Sequence, residues 1–205
     1  MTSYALSDYS HICFTVFRSG LAEVADAVRR TLDGPEMTVP FAETTGRLDV
    51  SRIYVGAPQA GSRHRRRVVL YAPAAVHDST VMFTNLADGW HTLAIRVSLL
   101  VDGLAYSFAV SNGDEWPLYR LEVLESGRLV RHVAASRDVD RWEFWQDGEP
   151  LPQENVACYE RARIKDRVTR TYLVELAAQL GFPIASQYFW ESRTEAVYFE
   201  ESRAK

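Results

Sequence analysis

Residues 104–149 read LAYSFAVSNGDEWPLYRLEVLESGRLVRHVAASRDVDRWEFWQDGE, and the fold follows from how this stretch is punctuated. Four runs rich in aromatic and β-branched residues (104–111, 118–124, 129–134 and 142–146) are broken by Asn112-Gly113-Asp114, Ser126-Gly127 and Ser136-Arg137-Asp138, and Asp147-Gly148 closes the last. Gly, Asn and Asp accept the backbone angles of tight turns, so this spacing predicts an antiparallel meander. Side chains alternate across a strand, which puts Trp142 with Phe144 on one face and Glu143 with Trp145 on the other.

Upstream, residues 11–17 form a dense β-former run and predict a strand. Residues 21–32 place Leu21, Val24, Ala25, Val28 and Leu32 on one helical face, with Ser19 as the expected N-cap and Gly34-Pro35 as the stop. Residues 36–49 lack a period and read as a loop. Residues 50–55, 67–71 and 80–84 read as strands, the first two joined by a loop over 58–66. A second helix is expected from Asp88 or Gly89 through Val101. Beyond the meander, Pro150 and Pro152 bend the chain, and a helical region follows over 155–180 with a break near Asp166. The aromatic stretch 187–199 reads as a final hairpin or a docking arm.

Helices set apart from antiparallel strands define the α+β class, here with about three helices. The order helix-then-strands occurs twice, over 21–84 and 90–146, and Val81-Met82-Phe83-Thr84-Asn85 rhymes with Trp142-Glu143-Phe144-Trp145-Gln146. The chain is therefore expected as one α+β domain over 1–205, or as two pseudo-repeated αβββ lobes over 1–88 and 89–205.

Composition narrows the function classes. An apolar fraction of 47% with 24 aromatic residues supports a packed core, against disorder. The net charge of −4 argues against a nucleic-acid partner, which usually demands a basic excess. Residues 1–88 balance nine basic against nine acidic side chains, and the acidic surplus lies in 89–205. It is densest over 138–154, where six acids face Arg141 alone. Two distant cysteines, no signal-like start and no apolar run near 20 residues point to a reduced, cytoplasmic chain without membrane contact.

The motifs of common chemistries are missing. The five histidines are dispersed, and no His-x-His, His-Glu-x-x-His or Cys-x-x-Cys pair suggests a metal. Cys13 sits in an apolar strand, which favours an inert thiol, and Cys158 lacks a nearby base. The run Arg63-His64-Arg65-Arg66-Arg67 could hold an anion, but a solvated turn whose charges block edge pairing is the simpler reading. No catalytic residue, cofactor or metal is therefore expected. What stands out is a set of aromatics beside acids: Asp114, Glu115 and Trp116 at one turn, and Trp145, Asp147 and Glu149 at another. Aromatic anchors ringed by charge are the make-up of a protein interface, and an acidic rim steers a basic partner. The competing expectation is that Trp145 packs beneath the C-terminal helix or arm.

One resemblance bears on this. The passage Trp142-Glu-Phe-Trp-Gln-Asp-Gly-Glu-Pro-Leu-Pro-Gln-Glu, then Tyr159-Glu-Arg-Ala-Arg-Ile-Lys-Asp-Arg-Val-Thr and a helix ending at Leu180-Gly181, resembles bacterial immunity proteins of interbacterial toxin systems. The likeness covers about residues 104–181 and carries no functional residue with it. It implies a cytoplasmic, non-enzymatic protein that neutralises a toxin by occlusion, with a basic toxin domain as partner. The alternatives are a small-ligand binder or enzyme using a cleft between two αβββ lobes, and a structural subunit such as a homodimer.

Overall fold

A computed structural model describes residues 6, 9–53 and 65–202. The protein is α+β. Nine antiparallel strands make one sheet: β1 (His11–Phe17), β2 (Phe41–Gly46), β3 (Arg67–Tyr71), β4 (Thr80–Thr84), β5 (Leu104–Ser111), β6 (Leu118–Glu125), β7 (Arg128–Asp138), β8 (Arg141–Asp147) and β9 (Ala196–Glu201). Their spatial order is β2-β9-β3-β4-β1-β5-β6-β7-β8. The meander expected over 104–149 forms the β5–β8 side of the sheet.

Three helices flank it: α1 (Leu21–Leu32), α2 (His91–Leu100) and α3 (Arg170–Gln179). α1 and α2 share one core with Phe17, Leu70, Met82, Ala105 and Leu124. α3 and the residues around it pack on the opposite face, against Phe14, Phe83, Phe108, Leu121 and Val133. Both faces of the central strands are thus covered, which is why β1 is apolar on both sides and buried throughout except at His11.

Several expectations change. Residues 36–49 contain β2, whose middle residues Ala42, Glu43, Thr44 and Thr45 are exposed and carry no hydrophobic alternation. Val50–Arg52 is a 3₁₀ turn rather than a strand, because the Asp49 side chain accepts from Ser51 N at 3.1 Å and caps it. Residues 54 and 55 of that predicted strand, and most of the loop after it, lie outside the described residues. Gly20 is the N-cap of α1, while Ser19 Oγ donates to Asp102 O at 2.6 Å. The helical region 155–180 resolves into 3₁₀ turns Val156–Glu160 and Ile164–Asp166 followed by α3. The stretch 187–199 is neither hairpin nor arm. It makes a 3₁₀ turn, Gln187–Trp190, then enters the sheet as β9 between β2 and β3.

Glu200 and Glu201 of β9 explain the described part of the arginine run. Arg66 Nε lies 3.1 Å from Glu201 and Arg67 Nη2 lies 3.0 Å from Glu200. Arg66 also sits over the Trp90 ring, 5.1 Å from its centroid.

The chain leaves β8 through Gly148, whose φ of +77° lies in the left-handed region. A Cβ there would stand 2.0 Å from Val130 O, so only glycine fits. Arg131 Nη1 then donates to the carbonyls of Asp147 and Gly148, at 3.1 and 2.8 Å. Its other nitrogens pair bidentately with Glu154 at 2.9 and 2.6 Å, both side chains being at most 1% exposed. Leu151 N and Tyr159 OH also donate to Glu154, and Tyr159 OH meets Tyr172 OH of α3 at 2.5 Å. Burial opposes ionisation of Glu154, but the hydrogen bonds from Arg131 and Tyr159 outweigh it and hold the carboxyl below its ordinary value.

Removing one member of a buried pair strands the other charge and costs about 3–5 kcal/mol, so Glu154→Gln should lower the urea midpoint by that equivalent. Arg131→Met with Glu154→Leu should recover part of it only, because the Asp147 and Gly148 carbonyls still lose their donor. The pH dependence has a defined sign. With the folded pKa lowered, the unfolded chain takes up the proton first on acidification. The pair's contribution is complete well above pH 4.5 and is lost as pH falls through the lowered value. The stability gap between wild type and Glu154→Gln, followed by urea titration, should therefore narrow toward acid.

Candidate functional site

A row of register partners runs through all nine strands on the face that carries α1 and α2. It reads Thr45, Val197, Leu70, Met82, Thr15, Ser107, Glu122, His132 and Asp147 from β2 to β8. Leu70 and Met82 lie in the core beneath the helices. From β1 outward the row turns polar, beginning with Thr15 Oγ1 and Ser107 Oγ at 2.6 Å. The neighbouring row reads Cys13, Ala109, Arg120, Ala134 and Trp145 from β1 to β8. α2 packs over β5, β6 and β7. Beyond it, β8 presents Glu143, Trp145 and Asp147 in sequence on this face, with Trp145 44% exposed.

The expected packing of Trp145 beneath α3 or the C-terminal segment does not occur. Strand alternation sends Trp142 and Phe144 to that side instead, where Phe144 packs against Tyr159 at 5.4 Å. Trp145 is left on the opposite face.

The six residues singled out from the sequence fall into two groups. Trp145 and Asp147 share one face of β8, with Glu149 exposed just past the strand. Asp114, Glu115 and Trp116 lie in the β5–β6 turn, where Asp114 Oδ1 accepts from Trp116 N at 3.2 Å and Trp116 is 49% exposed. Trp145 is level with Arg120. Trp116 is four residues beyond that level and two strands away, on the order of 15 Å. The turn group therefore lies at the sheet's end, apart from the strip on β8.

Inboard of Trp145 is a charged cluster that the sequence reading passed over. Glu122 is 4% exposed. Its Oε2 lies 3.2 Å from His91 Nε2, at the start of α2, and 3.5 Å from Arg120 Nε. His132, its register partner on β7, has a buried Nε2 without a hydrogen-bond partner among the described residues. Burial lowers the His132 pKa, and the nearby Glu122 carboxylate partly offsets this. The available signal is Arg120 and Glu122 at strand spacing, two charges on one face of β6, whose residues 121–124 are buried.

Cys13 borders the same cluster. Its Sγ donates to Ala87 O at 3.0 Å and lies 3.2 Å from His11 Nε2. A thiol beside an imidazole suggests nucleophilic chemistry, but burial pushes the Cys13 pKa up to about 12, and Arg120 only partly counters it. Reactivity requires the thiolate, so this pair is unsuited to attack at neutral pH. Among the described residues no group of three or more His, Cys, Asp and Glu side chains could hold a metal ion.

A separate open cleft of about 1140 Å³ lies between residues 47–52 and 187–195. Arg47, Arg52 and Arg193 line it together with Asp49, Glu191 and Glu195, a balanced set of charges. Arg52 is engaged over the Tyr198 ring at 4.8 Å and Arg193 with His77 Nδ1 at 3.0 Å.

Comparison with protein-family models, with curated proteins and with solved structures gives no match. Among the described residues no helix is long and apolar enough to cross a membrane.

The thiol chemistry is directly testable. Iodoacetamide at pH 8 should leave Cys13 unmodified in the folded chain and alkylate it in urea, as read by peptide mass spectrometry. Rapid labelling of the folded protein would contradict the burial and raised pKa described above.

Proposed function

We propose that this chain is a non-enzymatic protein-binding module whose docking surface is the strip of β8 around Trp145, beyond the reach of α2. The observation that carries this reading is Trp145 itself, 44% exposed on the sheet face with Glu143 and Asp147 on either side along the strand. A half-exposed tryptophan on a rigid strand supplies a large contact area at small entropic cost, and such residues dominate binding energy at interfaces. Ala134 beside it has a small side chain, which leaves the indole face open on that side.

The finer reading is a cytoplasmic immunity protein that neutralises a toxin by covering its active site, with a basic toxin domain as partner. It is supported by the resemblance over residues 104–181 and by the acidic residues around Trp145. The catalytic alternative finds less support, since the thiol is buried and the large cleft is lined by mutually balanced charges.

Two measurements test the proposal. Coexpression with a toxin encoded beside this gene should rescue growth, and Trp145→Ala or Asp147→Lys should abolish the rescue. Trp145→Ala should raise the Kd for the isolated partner by about 30-fold or more, equivalent to about 2 kcal/mol. It should change folding stability by about 0.5 kcal/mol at most, as for a surface site. Undiminished binding by Trp145→Ala would remove the surface from consideration.

A further inference from the structure

We propose that the outer edge of β8 is a strand-pairing site for an extended, basic segment of a partner protein. The segment would add a tenth strand and set lysine or arginine side chains against Glu143, Trp145 and Asp147. This inference rests on the reading of the Trp145 strip as a partner surface and specifies how that partner is held.

Three observations converge. β8 is the terminal strand of the sheet, and among the described residues no backbone group outside β7 hydrogen-bonds to the backbone of residues 141–146. An edge of this length with no strand paired to it is a template for a further strand.

The second observation is charge. Glu43 on the opposite edge strand is bound bidentately by Arg29, at 2.8 and 2.9 Å, while Glu122, Glu154, Glu200 and Glu201 all have cationic partners. Glu143 and Asp147 make no side-chain hydrogen bond or ion pair among the described residues. Two carboxylates without a hydrogen-bonded or ion-paired cation among the described residues therefore flank an exposed tryptophan at strand spacing. Directly opposed residues on adjacent strands bring their Cβ atoms within about 5.5 Å, so a cation on an added strand reaches a carboxylate or the indole face.

The third observation is the opposite face. Trp142 and Phe144 are half-buried there and pack against the core that carries α3. Positions of the added strand on that side would meet the ring edges of Trp142 and Phe144, the Phe144 face being covered by the Arg167 guanidinium at 5.2 Å from its centroid. The chemistry thus specifies an alternating segment, basic on one face and β-branched or aromatic on the other.

A second copy of the chain fits less well. Antiparallel self-pairing centred on Trp145 would oppose Glu143 with Asp147 of the other copy, and like charges directly opposite are unfavourable.

The probe is the synthetic peptide Thr-Lys-Val-Lys-Val-Lys-Thr added to the full chain, with amide hydrogen exchange of β8 followed by NMR. The expected result is slowed exchange at alternate amides within β8, together with at least tenfold weaker binding for Trp145→Ala and for Glu143→Lys. Added salt should weaken binding as well. The glutamate counterpart of the peptide, and an isomer with its three lysines contiguous, should leave the β8 amides unchanged. Absence of protection overturns the proposal, as does equal protection by the acidic or contiguous peptide. Protection without peptide, growing with protein concentration alongside a dimer in light scattering, assigns the edge to a second copy and also overturns it. The underlying reading fails separately. If Trp145→Ala leaves binding of the native partner intact, the surface is wrong, whereas lost binding with β8 amides unprotected in that complex retains the surface and rejects strand addition.

Discussion

Glu154, fastened to Arg131 in the interior, sets the route of everything after the meander. β8 ends at one margin of a nine-stranded sheet, and β9 has to enter near the other, between β2 and β3. The chain makes that traverse across the face bearing α3. Its first step is fixed because Arg131 holds the Asp147 and Gly148 carbonyls and the Glu154 carboxylate at once. Tyr159 and Tyr172 extend the same network into α3. The cost of burying two charges is offset by this completeness, since each oxygen of Glu154 has at least two donors or cationic contacts. Arg18 closes the far end of the traverse by donating to Leu180 O at the C-terminus of α3, with its guanidinium 4.3 Å from the Phe182 ring.

The two faces of the sheet are consequently unlike. Under the traverse, packing is apolar from Phe83 through Phe108 to Val133. On the other side, among the described residues, two helices serve nine strands, α1 packing on β3 and α2 on β5–β7. The row from Thr45 to Asp147 records this at its last strand, where Asp147 of β8 lies past α2 and is exposed, while Ser107 and Glu122 remain buried beneath that helix. A strand face without a helix above it can carry charge, and it can also carry a tryptophan in contact with water. The strip around Trp145 arises from this shortage of cover, which connects the architecture to the proposed docking role.

Local patterns were legible where the physics is local. The bounds of β1, α1, β3, β4 and β5 follow from runs of apolar residues and from breakers such as Ser19-Gly20 and Asp102-Gly103. β2 was not legible because its exposed middle, Ala42-Glu43-Thr44-Thr45, draws its stability from pairing with β9 rather than from its own pattern. β9 itself looked like an arm for the same reason. At the candidate site, alternation correctly placed Glu143 with Trp145 and Trp142 with Phe144. The separation of Asp114, Glu115 and Trp116 from that strip required the register of β6, β7 and β8. The cluster of His91, Arg120, Glu122 and His132 draws on three elements, and the Arg120–Glu122 spacing points only to its β6 part.

The position of β9 bears on how the molecule comes into being on the ribosome. Phe41 pairs with Glu201, and among the described residues β2 has no strand neighbour other than β9. β2 therefore emerges early and waits through the synthesis of about 150 further residues before its hydrogen bonds can form. β3 meanwhile shows one bare margin until β9 is made, its other neighbour among the described residues being β4. Such long-range closure slows folding and leaves unpaired strands exposed in the nascent chain. The charged side chains of Glu43 and Arg67 on these waiting strands are suited to discourage mispairing with other chains during that interval.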